Sequence, residues 1–581
     1  MSRILTDGDP SSRIWIVGEA PGRNEVEQGR PFVGASGIEL DKMLREAGLL
    51  RAQCFLTNVC HERPPSIMKN GKVINDNIEQ WFLGVTAARA TNTPLISGRF
   101  PAEPIRDGVS ILRDLLLRHK PTLVIALGNT ALWALSSHTG ITKWRGSVFD
   151  TSEARDAGPA ATGGKVIATF HPADVLRQWT HRPIVVQDLR RAVRESTSPN
   201  VHKTTWNFTI PRTVADVRAW LGDYGAFAGG KQLIADTEGW GRVDCIGFAA
   251  SAEEAICIPF VHETNIAADL SNLHYWTEED EFDILQFLRQ VLTTNDITFH
   301  NALWDTQVIL RSWGFLPRLG DDTQVMQHVA FPGLIGGKID PVTGEVAKTG
   351  SSLSLSFIAS MYCSYYRYWK DDGRHFDPSI GDEIDYWRYN CEDCVRTYEC
   401  RDSLRATLER YNLQAQYEMK MREFGPVLAM MLRGLPYDVE RAKRYRAEVD
   451  KTKHGVREWL SHVTETDFNP WSAPQCKALF YDDLCLPKML NRHTKAPTLD
   501  DAALETIGRK NPILRPLVQQ IQNFRTLDTV KDDMDPALPG PDGIVRFALN
   551  VAFVETMRFS CNSTAHGEGG NMQNIKRPDD E

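Results

Sequence analysis

The chain has 581 residues, too many for a single compact core, and this length predicts roughly three to five domains. An apolar fraction of 42% and a charged fraction of 24% are typical of globular proteins, and the formal net charge of −9 argues against a polycation that coats nucleic acid. No apolar run is long enough to cross a bilayer, and residues 1–10 lack the apolar core of a signal peptide. The 11 cysteines follow no disulfide framework, so the composition predicts a cytoplasmic protein with reduced thiols.

Residues 1–195 alternate short β-rich runs with helical patterns. The β-rich runs are 14–18, 54–59, 122–127 and 165–170, and the helical patterns include 37–50, 106–119 and 129–136. This alternation predicts a layered α/β domain with a largely parallel sheet. Because the active sites of such sheets gather at the carboxyl ends of the strands, functional side chains are expected directly after these runs.

Chemically distinctive side chains are found around the ends of these runs. In chain order they are Glu19, Glu25, Phe32, Asn58 and His171. The sequence around them, with GEAPG at 18–22 and GRPFVG at 29–34, resembles the uracil-DNA glycosylase superfamily, most closely its family 4, over residues 13–192.

This resemblance implies a role for each side chain. Asn58 would read the edge of a uracil, and Phe32 would stack on the flipped base. Glu19 or Glu25 would position or activate water. His171 would stabilise the negative charge that develops on the uracil.

Two features depart from the family 4 pattern. Family 4 enzymes usually carry four cysteines that bind an iron–sulfur cluster, two of them upstream of the first motif, whereas no cysteine precedes Cys54 here. No iron–sulfur cluster is therefore expected. An insert at about 66–104, rich in Gly, Pro and Asn, forms either a lid or a loop. The domain is either a catalytic glycosylase or a glycosylase-like module kept for DNA binding or structure.

A linker at about 195–203 precedes a second domain, whose first distinctive stretch is QLIADTEG at 232–239. Asp236 and Glu238 stand two apart on a predicted strand and share one face of it. Two neighbouring carboxylates repel each other unless cations lie between them, so the pair favours a divalent-metal site. Taken alone, the stretch also fits an ordinary strand end.

Two further stretches carry matching side chains. Asp305 lies in ITFHNALWDTQVI, and Tyr389 and Asp393 stand four apart on one face of a predicted helix. The order DxE, HNxxxD and YxxxD resembles the three exonuclease motifs of the DEDD superfamily in its tyrosine-bearing form, which has an RNase H-like fold. The resemblance implies a 3′ to 5′ exonuclease domain at 204–410.

The same resemblance implies the ligands of this domain. Two ions, Mg²⁺ or Mn²⁺, would be held by four carboxylates, and Tyr389 would orient the attacking water; the carboxylates are those of Asp236, Glu238, Asp305 and Asp393. Asn301, in the second motif, would contact DNA. Cys391 and Cys394 form a CxxC inside the third motif, but no second CxxC exists to complete a zinc site, and we interpret them as helix residues.

Beyond residue 410 the pattern becomes helical. An apolar stretch at 424–433 is followed by a charged amphipathic helix that continues to residue 460. The charges on this helix form either a solvated face or a surface that grips the DNA backbone.

The stretches FNPWSAPQ at 468–475, ETMRFS at 555–560 and GGNMQNI at 569–575 resemble the thumb and the start of the palm of family A DNA polymerases. The resemblance implies that DNA is contacted by Arg558, Gln573 and Asn574. Met557 and Lys576 depart from the glycine and proline that are usual in that family.

The catalytic palm aspartates and the fingers helix of that family have no counterpart in residues 411–581. We therefore expect the amino-terminal part of a bacteriophage-type family A polymerase, either truncated or split, that does not extend a primer alone. Its expected partners are primer-template DNA, single-stranded 3′ ends and a separate polypeptide carrying palm and fingers. If the protein is viral, the compartment is the host cytoplasm.

Three functions compete at this point. The first is a proofreading 3′ to 5′ exonuclease with a glycosylase-like companion, and the second is a DNA-binding accessory or scaffold subunit of a split polymerase. The third is a stand-alone repair enzyme that joins uracil excision to end resection. The thumb-like segment disfavours the third, because a repair nuclease has no evident use for it.

Overall fold

The computed structural model describes residues 5–69, 72–74, 78–83, 94–239, 241–262, 274–332, 352–371, 383–491, 496–533, 535, 537–564, 569 and 572. The described residues form two compact units. The first contains residues up to 305, 313–332 and 352–417, and the second contains 306–312 and the residues from 418 onward. The predicted class, a multidomain α/β protein, is confirmed.

The strands lie in both units. In chain order they are β1 (Ile14–Gly18), β2 (Cys54–Asn58), β3 (Ile67–Lys69), β4 (Lys72–Ile74), β5 (Phe82–Leu83), β6 (Phe100–Pro101), β7 (Leu123–Leu127), β8 (Val148–Asp150), β9 (Lys165–Thr169), β10 (Asn207–Thr209), β11 (Gln232–Glu238), β12 (Cys245–Ala249), β13 (Glu254–Pro259), β14 (Asp296–Phe299), β15 (Leu319–Asp322), β16 (Leu435–Pro436), β17 (Ile544–Val545), β18 (Ala548–Asn550) and β19 (Ser560–Asn562).

The α-helices alternate with the strands in the first unit and dominate the second. In chain order they are α1 (Arg23–Gln28), α2 (Ala35–Glu46), α3 (Glu103–His119), α4 (Gly128–Ser136), α5 (Ile141–Trp144), α6 (Pro172–Arg177), α7 (Arg182–Glu195), α8 (Val214–Asp223), α9 (Glu278–Thr294), α10 (Ala302–Trp313), α11 (Thr323–Ala330), α12 (Leu355–Tyr362), α13 (Glu383–Arg410), α14 (Gln414–Arg422), α15 (Phe424–Arg433), α16 (Val439–Thr464), α17 (Ala473–Lys477), α18 (Asp501–Lys510) and α19 (Arg515–Asp533).

The first sheet has the order β2-β1-β7-β9-β8. All neighbours are parallel except the edge strand β8, which is antiparallel to β9. Strands β1 and β7 are apolar along their whole length and buried at every residue, as expected for parallel strands covered on both faces. The four β-rich runs predicted for residues 1–195 are thus confirmed, and their carboxyl ends lie at one edge of the sheet.

The second sheet has the order β10-β13-β12-β11-β14-β15, with β11 antiparallel to β12 and parallel to β14. Helix α13 packs across β11, β12 and β13. Gly247 permits this packing, because a Cβ at this position would lie 2.3 Å from Asn390 Oδ1 and 2.7 Å from Cys394 Sγ. The close approach brings the third predicted motif, on α13, against the first, on β11.

A segment that we call the strap, residues 363–371, contacts the domains of both sheets. On one side it lies along the edge strand β8: Val148 N donates to Tyr366 O at 2.9 Å, and Tyr368 N donates to Ser147 Oγ at 3.0 Å. On the other side Trp369 donates to Asp393 on α13, the helix that packs against the second sheet. The strap therefore joins the two domains within the first unit.

Two buried arginines of the first sheet domain strengthen this junction. Arg145 donates to Asp188 Oδ2 at 2.8 Å and to Ser360 Oγ at 2.6 Å, and Arg191 donates to Cys363 O at 2.8 Å. The side chains of Arg145 and Asp188 are only 2% and 1% exposed. Such a buried pair needs both partners, because removing one leaves an uncompensated charge in a medium of low polarity.

The second unit is mostly helical, as predicted. Helix α16 packs against α19, and Lys453 on the first forms an ion pair with Asp528 on the second. The core of the second unit includes the buried side chains Leu460, Phe468, Phe480, Leu504 and Ile521. Among the helices of the described ranges, none is long and apolar enough to span a membrane.

We expect Asp188→Ala to lower the free energy of unfolding by about 3–5 kcal/mol, because it leaves the Arg145 guanidinium buried without its partner. Urea titration followed by circular dichroism measures this change. The control is Glu27→Ala, which removes the exposed ion pair of Arg23 with Glu27 and should leave the unfolding midpoint unchanged. Equal midpoints for Asp188→Ala and wild type would contradict the assignment.

Candidate active sites

The first candidate site lies at the carboxyl ends of β1 and β2, where Gly18 is in register with Asn58. A Cβ on Gly18 would lie 2.5 Å from Asn58 Oδ1 and 2.5 Å from Phe32 Cζ. Only glycine allows the buried amide and the aromatic ring to approach the strand end together. The structure thus brings together the two residues predicted to bind a base.

Phe32 is held in place from its backbone. Its φ of 54° lies in the left-handed region, and its carbonyl accepts a hydrogen bond from Arg51 Nη1 at 2.9 Å. Gly37 at the start of α2 lies so close that a Cβ there would be 1.9 Å from Phe32 O. These contacts fix the ring, which is 3% exposed.

His171 precedes α6 and forms its amino-terminal cap. Its Nδ1 accepts the backbone N–H of Ala173 at 3.2 Å, and its ring centroid lies 6.1 Å from that of Phe32. Burial lowers the pKa of His171 to about 4. At neutral pH the ring is therefore uncharged, and it carries its proton on Nε2, which can donate to a ligand.

The two glutamates of this region differ. Glu19, directly after β1, accepts a hydrogen bond from the Thr130 hydroxyl, and burial raises its pKa. Glu25 instead caps its own helix, α1, because its Oε2 accepts a hydrogen bond from the backbone N–H of Gly22 at 2.7 Å. Of the two, Glu19 lies beside the strand end, and Glu25 serves as a helix cap.

The second candidate site, which we call the carboxylate site, is formed by Asp236 and Glu238 on β11 and Asp393 on α13. Carboxylate oxygens of these three residues lie within 4.8 Å of one another. Burial raises the pKa of Asp236 well above its usual range, and repulsion from Glu238, Asp393 and Asp305 adds to the effect. Negative charge is therefore concentrated here beyond what the neighbouring protein groups neutralise.

Asp305, the fourth predicted carboxylate, is bonded to the residue that lies between Asp236 and Glu238 on β11. Its Oδ1 accepts the backbone N–H of Thr237 at 3.0 Å and the Thr237 hydroxyl at 2.7 Å. Burial raises its pKa to about 7. Thr237, between the two carboxylates of β11, thus links Asp305 to the site.

Sequence reasoning missed three neighbours of the carboxylate site. Lys370 forms an ion pair with Asp393 and donates to the Tyr389 hydroxyl at 2.9 Å. Trp369 Nε1 donates to Asp393 Oδ1 at 2.6 Å, and Asn390 Nδ2 donates to Asp236 Oδ2 at 2.9 Å. Asn390 could have been predicted as a neighbour of the site, since it lies inside the third motif. Trp369 and Lys370 belong to no motif that would have pointed to them.

Asp322 was also missed as a structural carboxylate of this region. It caps α11 through Gln324 N at 2.8 Å and Val325 N at 3.0 Å, and it accepts Ala302 N, at the start of α10, at 2.7 Å. Burial raises its pKa to about 6. By joining two helix starts it fixes the orientation of the helix that carries Asp305.

His61 is a further buried group that sequence reasoning missed. It is 6% exposed and follows β2 by a few residues. Neither ring nitrogen has a hydrogen-bond partner in the part of the chain that the structure describes. Burial lowers its pKa to about 4, so it is neutral at pH 7.

The donor set of the carboxylate site fits a hard divalent cation. Carboxylate oxygens are the ligands that Mg²⁺ and Mn²⁺ prefer. Burial is the main cause of the raised pKa of Asp236, and repulsion from the neighbouring carboxylates adds to it. Asp236, Glu238 and Asp393 are the residues that would hold such a cation, and Asp305 is linked to them through Thr237.

Comparison with known proteins addresses the first site. The family model of the uracil DNA glycosylase superfamily matches residues 5–194. The type-4 uracil-DNA glycosylase of Thermotoga maritima is 32% identical over 193 residues, covering 32% of this chain and 80% of that protein. The chain belongs to the uracil-DNA glycosylase superfamily. We call residues 5–194 the glycosylase domain.

Two further relatives match parts of the glycosylase domain. The type-4 uracil-DNA glycosylase of Archaeoglobus fulgidus is 30% identical over 178 residues, covering 29% of this chain and 69% of that protein. That of Sulfurisphaera tokodaii is 54% identical over 61 residues, covering 10% of this chain and 28% of that protein.

Among solved structures, the POL domain of Pol1 from M. smegmatis, in complex with DNA primer-template and dNTP, matches with a TM-score of 0.46 and 17% identity. The alignment covers 64% of this chain and 57% of that one.

The remaining predicted site residues have different outcomes. Asn301 directly precedes α10, with φ at 71°. Arg558 lies in the second unit, exposed, shortly before β19. Gln573 and Asn574 lie outside the described residues, and the predicted domain boundaries stay predictions.

The raised pKa values predict how stability depends on pH without metal. A carboxyl whose folded pKa is raised contributes stability that is present below its unfolded pKa, near 3.9, and lost as the pH rises through the folded value. For Asp305 that folded value is about 7. We expect the melting temperature in EDTA to fall as the pH rises from about 4 to about 7 and to level off above that, and Mg²⁺ to reduce the fall.

Differential scanning fluorimetry measures this dependence. Asp305→Asn should flatten the profile in EDTA, because the titrating group is gone, whereas Asp385→Asn, on the exposed side of α13, should keep the wild-type slope. A wild-type melting temperature that does not change across this window would contradict the prediction.

Proposed function

We propose that this chain is a DNA-processing enzyme that removes nucleotides from 3′ ends by hydrolysis at the carboxylate site. The observation that carries this proposal is the grouping of Asp236, Glu238 and Asp393 within 4.8 Å. Three carboxylates in such proximity destabilise a protein unless cations compensate them, so their grouping points to metal-dependent chemistry.

The proposed roles follow from the positions of the side chains. Asp236, Glu238 and Asp393 would hold the ions, and Asp305, which Thr237 places beside β11, would complete the ligand set. When bound, two divalent ions in such a site activate water and stabilise the oxygen that leaves the terminal phosphodiester.

Tyr389 would orient the attacking water. Its hydroxyl lies next to Lys370 Nζ, which donates to it at 2.9 Å, so the oxygen is fixed at the rim of the carboxylate site. The 3′ to 5′ polarity, the use of Mg²⁺ or Mn²⁺ and a proofreading role belong to this proposal and rest on the order of the three motifs in the sequence.

We expect Asp236→Ala to reduce the release of nucleotides from a 3′-labelled single-stranded oligonucleotide by at least about a hundredfold, as loss of a central electrostatic group does in other enzymes. Gel analysis of time courses in Mg²⁺ measures the rate. Asp385→Ala removes an exposed carboxylate from the same helix and should digest at the wild-type rate. Undiminished digestion by Asp236→Ala would disprove the metal assignment.

A second candidate activity, uracil excision, is favoured by the first site. Gly18, Phe32 and Asn58 meet at one strand end, and His171 lies beside them. The relatives that match this domain are named type-4 uracil-DNA glycosylases, and we extend that activity to this chain as a proposal.

The geometry suggests how excision would proceed. The Asn58 amide offers both a donor and an acceptor to the edge of uracil, and Phe32 supplies a surface on which the flipped base stacks. As the glycosidic bond breaks, the neutral His171 would donate from Nε2 to the uracil oxygen that gains negative charge. Glu19, beside the strand end, would position water.

We expect wild-type protein in EDTA, where a metal-dependent nuclease is silent, to form abasic sites in uracil-containing DNA but not in thymine-containing DNA. Asn58→Ala should slow the reaction by roughly tenfold to a hundredfold, since a good bidentate contact to a base is worth about 1–3 kcal/mol. Alkaline cleavage of labelled strands measures the rate. Asn200→Ala, at an exposed position, should match wild type. If wild type forms no abasic sites at high enzyme concentration, the glycosylase domain is not a uracil-excising enzyme.

For the second unit we propose a thumb-like role, in which it holds the primer-template duplex and presents Arg558 to the DNA backbone. The motifs at 468–475 and 555–560 and the exposure of Arg558 support this proposal. The family A relationship, and a separate polypeptide that supplies palm and fingers, are parts of the same proposal.

A further inference from the structure

Lys370 lies at the junction of the strap and the carboxylate site. Its side chain is 16% exposed, its Nζ forms an ion pair with Asp393, and it donates to the Tyr389 hydroxyl at 2.9 Å. The same Nζ lies 4.9 Å from the centre of the Tyr389 ring. A cation therefore sits between the group proposed to orient water and the group proposed to hold metal.

The strap keeps Lys370 in this position. The preceding residue, Trp369, donates to Asp393 Oδ1 at 2.6 Å. Two residues earlier in the strap than Trp369, Arg367 donates to both carboxylate oxygens of Asp156, at 2.8 and 2.9 Å. These hydrogen bonds hold the residues next to Lys370, so its ammonium group is placed at the rim of the site.

Lys370 pairs with a carboxylate that would itself hold metal. An ammonium group carries a single positive charge and cannot chelate, and its partner Asp393 is a proposed metal ligand. When Asp393 acts as a ligand, Lys370 needs another anionic acceptor within reach of Tyr389. The terminal phosphodiester of DNA is the anion that the proposed reaction brings to this place.

We propose that Lys370 is a further catalytic residue, which donates a hydrogen bond from Nζ to a non-bridging oxygen of the terminal phosphodiester; this inference rests on the proposed exonuclease function. In the reaction a water oxygen forms a bond to phosphorus, the bond from phosphorus to the 3′ oxygen breaks, and that oxygen keeps the electron pair and gains a proton that originates from water. Lys370 neither gains nor loses a proton. It stabilises the charge on the phosphoryl oxygens.

The test compares full-length variants at saturating Mg²⁺. Lys370→Met keeps the length of the side chain but removes its charge, and we expect kcat to fall about a hundredfold, as for loss of one donor to a developing charge. Lys370→Arg keeps a cationic donor and should recover most of this loss. The matched control Lys203→Gln removes an exposed lysine that pairs with Asp150 and Glu153, outside both sites, and should retain the wild-type kcat and KM.

A second measurement needs no turnover. Binding of a single-stranded oligonucleotide in Ca²⁺, measured by fluorescence anisotropy, should be about tenfold weaker for Lys370→Met, as expected for the loss of one charged phosphate contact. Titration with Mn²⁺ in the absence of DNA should show affinity that is equal to or tighter than that of wild type, because a competing cation is gone.

The outcomes separate the two proposals. If Lys370→Met keeps the wild-type kcat and DNA affinity while binding Mn²⁺ more tightly, Lys370 is only a counterion and the inference is overturned. If wild type digests no DNA in any metal, the proposed exonuclease function fails, and the anisotropy measurement still decides: equal DNA affinity of wild type and Lys370→Met overturns the contact with phosphate.

Discussion

The repulsion among Asp236, Glu238 and Asp393 is the constraint on which the second sheet domain depends. Strand β11 and helix α13 pack closely enough for these carboxylates to lie together, and Gly247 permits this close approach. Burial alone would lower the pKa of Lys370, but attraction to Asp393, Glu238 and Asp236 outweighs it and raises that pKa. Lys370 thus supplies positive charge to this site from within the chain.

The two candidate sites differ in the charge of their side chains. At the end of the first sheet, burial keeps His171 uncharged, so its Nε2 is a neutral hydrogen-bond donor. At the carboxylate site, burial and repulsion among neighbouring carboxylates raise the pKa of Asp236, and the ammonium group of Lys370 lies beside Asp393. Both sites contain a glycine in a strand, which allows a side chain from another element to approach the backbone. This glycine is Gly18 in the first sheet and Gly247 in the second.

Much of this arrangement follows from local sequence. The β-rich runs of the first domain, the DxE strand and the helix with Tyr389 and Asp393 each have a periodicity that local reasoning can detect, and each is confirmed as an element. The position of Lys370 could not be predicted in this way, because it depends on pairing of the strap with an edge strand distant in sequence. The same holds for Asp305, whose hydrogen bonds to Thr237 depend on how α10 is docked.

The pairing of the strap with β8 also has a consequence for the solubility of the parts. Strand β8 lies at the edge of the first sheet, and its outward N–H at Val148 is bonded to Tyr366. An edge strand with free backbone groups is a template for pairing with other chains, and covering it is a common protection against aggregation. Residues 1–195 separated from the strap would expose this edge, so the strap protects the first sheet against self-association.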